Sequence, residues 1–159
     1  MSRLTVTIEL DVPDGVEVAD VRVESRTADA VEDRIALAPK EHQSRLRQFV
    51  RRLETLGCSI EVPAARRSDY LNVRHPDCRS RVASFSVRPG YSSGERSNAP
   101  RVEVYCDPKY VKSHPPAQAN LHNGEPVHPK IYLFNAKAVD AAVDLVAISI
   151  DEKARSSRS

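Results

Sequence analysis

Short runs that alternate apolar and polar residues dominate this chain, and they confine it to a sheet-based fold. Leu4, Val6, Ile8 and Leu10 alternate with Thr5, Thr7, Glu9 and Asp11, and Val102, Val104 and Cys106 alternate with Arg101, Glu103 and Tyr105. A period of two sends apolar side chains to one face of a strand and polar ones to the other. Val12-Pro13-Asp14-Gly15 supplies a turn after the first run, because proline presets φ and glycine accepts positive φ. Val16, Val18, Val21 and Val23 then return, so residues 1–26 read as an acidic β-hairpin. Residues 26–38 read as a linker or a short helical turn.

The period changes at residue 39. Leu46, Phe49, Val50, Leu53 and Leu56 recur at three- and four-residue spacing, the mark of a helix with one apolar stripe. Pro39 suits the first helical position and Gly57 suits the left-handed end, so the helix spans 39–57. Residues 58–106 hold the next strands, with candidates at 58–62, 70–74, 82–87 and 101–106, in meander order. Residues 107–129 carry five prolines and three histidines, and read as a long loop. Ile131 to Phe134 is a strand, Asn135 an N-cap, and Val139, Ala142, Val143, Val146 and Ile150 the buried stripe of a second helix within 130–155. The expected fold is α+β: a mostly antiparallel sheet, two amphipathic helices on one face and an N-terminal hairpin. It forms a single domain over 1–155, with 156–159 a disordered tail.

Charge is unevenly distributed. Residues 1–33 hold nine acids and three bases, for −6, while 34–112 hold sixteen bases and eight acids, for +8; the whole chain is +2. Most bases in the middle block are arginine, whose rigid fork fits phosphate and carboxylate. Arg66, Arg67, Arg74, Arg79, Arg81 and Arg88 surround Tyr70, a pattern that can hold a backbone and stack a base. These seven residues are the candidate anion- or nucleic-acid-binding face. The arginine row of the first helix is diluted by Glu41 and Glu54 and reads as a solvated face.

Chemistry-bearing motifs are sparse. His75 and Cys78 form one close pair, and Cys106 and His114 could complete a zinc set, yet a second Cys-x-x-Cys is missing. A metal-dependent, nuclease-like enzyme would be built around His75, Cys78 and Glu103. Glycine-rich phosphate loops and the Gly-x-Ser-x-Gly elbow are absent, so no catalytic residue and no cofactor is assigned. The odd count of three cysteines reads as reduced thiols. Apolar runs fall short of the ~18–20 residues that cross a bilayer, and Met1-Ser2-Arg3-Leu4 opens no secretory core. The expectation is a small, arginine-rich, cytoplasmic binding or regulatory protein without catalysis. Its partner is nucleic acid or an acidic protein surface. The acidic hairpin offers a second role, in protein–protein contact or homo-oligomerisation.

Overall fold

In the computed structural model, residues 26–63, 70–87 and 99–158 are described. The acidic hairpin expected at 1–26 falls almost wholly on 1–25, outside them. The alternating runs form β1 (Ser59–Glu61), β2 (Tyr70–Arg74), β3 (Ala83–Ser86) and β4 (Arg101–Val104), followed by β5 (Ala117–His122) and β6 (Glu125–Tyr132). All pair antiparallel, in the order β1-β2-β3-β4-β6-β5. The architecture is α+β, as the sequence implied.

Register turns alternation into two opposed faces. Leu71 pairs with Phe85, Phe85 with Val102, Val102 with Ile131 and Ile131 with Ala117, and every member of this row is buried. One residue away runs the row Glu61, Asn72, Ser84, Glu103, Lys130 and Gln118, polar across all six strands. The apolar row meets helical stripes. Phe49 of α2 (Lys40–Thr55) packs edge-on against Phe85, with ring centroids 5.6 Å apart. Ala138, Val139, Ala142, Leu145 and Val146 of α3 (Ala136–Arg158) join the same buried cluster. Ser149 is also fully buried, and its Oγ lies 3.0 Å from the carbonyl oxygens of both Val82 and Tyr105, sharing one proton between them. That contact ties α3 to the β3–β4 end of the sheet.

The helix limits follow local chemistry. Lys40 opens α2 directly after Pro39, and Gly57 closes it at φ 81°, in the left-handed region. The Asn135 side chain caps α3 by accepting from the Ala138 N–H at 2.8 Å.

Three expectations are corrected. Residues 26–38, expected as a linker or a short helical turn, hold a ten-residue helix, α1 (Arg26–Ile35). Val31, Ile35 and Ala38 are buried at four- and three-residue spacing, and Arg47 of α2 donates from Nε to Glu32 at 2.8 Å. The tail expected as disordered from 156 is helical through Arg158, with the Ser156 and Ser157 hydroxyls donating to the carbonyls of Glu152 and Lys153. Residues 107–129 are not a long loop. They form a 3₁₀ helix (Pro108–Ser113), all of β5 and most of β6. Asn123 at φ 52° and Gly124 at φ 85° make the two-residue turn that suits a twisted hairpin. Proline is tolerated because Glu125 to Pro129 pair with β5 alone, and the register shift between Asn120 and Leu121 leaves Val127 as a bulge.

Candidate functional site

The polar row lies in a face shaped by side-chain size. β3 contributes only Ser84 and Ser86, while β2 on one side carries Tyr70 and Asn72, and β4 on the other carries Arg101 and Glu103. Long side chains flanking short ones leave an open recess of about 600 Å³. Tyr70, Asn72, Arg81, Arg101, Glu103 and Tyr105 line it, with Ser84 at its floor.

A connected network organises the recess. Arg101 donates from Nη2 to Glu103 Oε1 at 2.7 Å and to the Tyr70 hydroxyl, and its guanidinium lies 5.6 Å from the Tyr70 ring centroid. Glu103 Oε2 is 3.4 Å from His128 Nε2, which also meets Asn120 Nδ2 at 3.1 Å. The His128 ring stands edge-on to Tyr105, with centroids 5.1 Å apart. The Tyr105 hydroxyl bonds Ser84 Oγ at 2.8 Å. Arg81 lies over Tyr105 at 5.4 Å and donates to Asn72 Oδ1 at 2.9 Å.

Burial sets the electrostatics. The Glu103 side chain is 14% exposed and that of Arg101 25%, so both charges are largely out of water and each depends on the other. Burial pushes the Tyr70 hydroxyl above the usual tyrosine pKa, against the pull of Arg101. For Arg101 burial acts to lower the pKa, but Glu103, Tyr70 and Tyr132 together hold it raised. The guanidinium is therefore a permanent cation. Its Nε is buried without a hydrogen bond among the described residues. Arg81, by contrast, is exposed and pairs with no carboxylate among them.

The predicted arginine face is only partly assembled. Tyr70 and Arg81 line the recess. Arg74 points to the same side of the sheet but is neutralised by Glu61, with Nε 2.9 Å from Oε2. Arg79 is exposed in the connection before β3 and lines no part of the recess. Arg66, Arg67 and Arg88 lie outside the described residues. Arg101, Glu103, Tyr105 and His128 were not in the predicted set. The signal for three of them was present, since Arg101, Glu103 and Tyr105 alternate along one stretch of chain.

The metal set His75, Cys78, Cys106 and His114 is not brought together. His75 serves structure: its Nε2 lies 3.2 Å from the Leu56 carbonyl at the end of α2, and its Nδ1 accepts from the Asp77 N–H at 3.2 Å. Cys78 donates to the Ile150 carbonyl at 3.6 Å, against α3. Cys106 is buried beside the strand end, and His114 Nδ1 sits 2.9 Å from the Tyr110 carbonyl. No three His, Cys, Asp or Glu side chains converge to hold a metal among the described residues. The enzyme set is also divided, since Glu103 lies in the recess while Cys78 packs against the buried cluster. All three cysteines are free. Burial pushes the Cys58 thiol up to about 11 and that of Cys106 to about 12, and it raises Cys78 as well. High thiol pKa values make poor nucleophiles at neutral pH.

No helix among the described residues is long and apolar enough to cross a membrane. No protein-family model matches the chain, and neither does any curated protein or solved structure.

Proposed function

We propose that this protein is a cytoplasmic binding module without a catalytic step, and that the polar sheet face engages an anionic partner, single-stranded nucleic acid foremost. The observation that carries the reading is Arg81. It is exposed at the recess, its guanidinium lies over the Tyr105 ring at 5.4 Å from the centroid, and it is free of any carboxylate among the described residues. An exposed guanidinium beside a tyrosine ring offers a planar surface to a base and a charge to a phosphate. The recess volume of about 600 Å³ falls in the ~300–1,000 Å³ range of small-ligand sites. Glu61 neutralises Arg74, so the cationic footprint is small and centred on Arg81.

The test is fluorescence anisotropy of labelled single-stranded DNA and RNA with the full chain, from low to physiological salt. Each phosphate contact contributes about −0.7 to the log–log salt slope of a single strand. Two or three contacts predict a slope of about −1.4 to −2.1. Arg81→Ala is expected to flatten it by about 0.7. Binding that ignores salt, or strands that fail to bind while an acidic peptide does, would overturn the nucleic-acid reading.

A further inference from the structure

A phosphate-tracking face has no evident use for a carboxylate, yet Glu103 lines the recess. Its cost is met locally, since Arg101 holds Oε1. The other oxygen is less committed. His128 Nε2 lies between Glu103 Oε2 at 3.4 Å and Asn120 Nδ2 at 3.1 Å. A neutral imidazole nitrogen either accepts or donates, so it cannot serve both neighbours. Each carboxylate oxygen has two lone-pair positions, so Oε2 keeps one open whether Nε2 donates to it or accepts from the Asn120 amide, and Oε1 keeps one beside the bond from Arg101.

We infer that Glu103 selects the base, taking a ring edge that presents two adjacent N–H donors. This rests on the nucleic-acid reading above. Among the common bases only guanine offers such an edge, a ring N–H beside an exocyclic amine. Adenine, cytosine and uracil each place a lone pair next to their donor, and that lone pair faces the carboxylate unfavourably. The recess thus holds three matched elements: the Arg81–Tyr105 pair for the ring plane, the Arg81 charge for a phosphate, and Glu103 for the edge.

The experiment titrates the full chain with guanosine, inosine and adenosine 5′-monophosphates at low salt, followed by NMR shifts or calorimetry. Inosine lacks only the exocyclic amine. The expected order is guanosine tightest, inosine intermediate and adenosine weakest, with guanosine over adenosine by about tenfold. Glu103→Gln is expected to abolish the ranking. Arg81→Ala is expected to weaken all three equally and keep it, which separates edge recognition from phosphate contact and does not disturb the Arg101–Glu103 pair. Equal affinities in the unaltered protein, or a ranking that survives Glu103→Gln, would overturn the inference. No nucleotide binding while strands still bind would overturn it too, and would leave the nucleic-acid reading standing. Failure of strands and nucleotides alike would remove both.

Discussion

The two faces of the sheet are made from the same strands and solve opposite problems. The row Leu71, Phe85, Val102, Ile131 and Ala117 is buried by shape, with helical side chains filling the space above it. The row Glu61, Asn72, Ser84, Glu103, Lys130 and Gln118 is organised largely by pairing, with Glu61 beside Arg74, Glu103 beside Arg101, Asn72 beside Arg81 and Ser84 beside the Tyr105 hydroxyl. Apolar packing is non-directional and tolerates approximate fits, whereas a largely buried charge is stable only with a specific partner in place. One face therefore holds the protein together, and the other has the directional groups needed to recognise something else.

The widest separation between the faces is expected on thermal or urea unfolding. Phe85→Ala empties the space against Phe49 and should cost about 3–5 kcal/mol. A loss below about 1 kcal/mol would mean that the apolar face is looser than its burial implies. On the polar face, Glu103→Ala strands the Arg101 guanidinium and should cost about 1–3 kcal/mol, with Glu103→Gln costing less because an acceptor remains. Equal costs for the two variants would show that the carboxylate charge supports Arg101 and that a neutral acceptor does not replace it.

A third contrast is pH. Cys58 and Cys106 are buried as neutral thiols, with pKa values of about 11 and about 12 against 9.0 in an unfolded chain. A raised folded value means that the unfolded state releases protons first. Stability is then fully present below pH 9 and falls as the pH rises toward the folded values. By pH 10 each thiol should remove about 1 kcal/mol, and Cys106→Ala should flatten the decline in urea midpoint between pH 8 and pH 10. An unchanged profile in that variant would place the loss elsewhere. The smallest effect belongs to the rim. Arg74 and Glu61 are both about half exposed, so Arg74→Ala should shift stability by less than about 1 kcal/mol. A larger loss would make the rim part of the structural framework.

Local signals account for much of the fold and little of the site. The helix over 39–57 was legible because its apolar spacing and its terminal proline and glycine agree. Strands β1 to β4 were legible from alternation and intervening turns. The hairpin of β5 and β6 was not, because Pro126 and Pro129 argue against a strand wherever both edges are paired, and only tertiary pairing reveals that this arm is paired on one side. Missing the hairpin hid His128, and with it the partner that makes Glu103 more than a residue on a wet face.

By itself, the sequence determined the secondary-structure type of most of the described chain, the antiparallel character of the sheet and which side of each strand is apolar, because these depend on periodicities that neighbouring residues impose. Which polar side chains meet was decided only by the tertiary structure. Arg101 and Tyr70 are 31 positions apart and Glu103 and His128 are 25, and they converge because strand order and register set β2, β4 and β6 side chains on one face, with only the short serines of β3 between Tyr70 and Arg101. Charge counted along the chain pointed to Arg66 through Arg88. Register instead centred the recess on Arg81, Arg101 and Glu103, because Coulomb interactions depend on distance in space and not on separation in sequence.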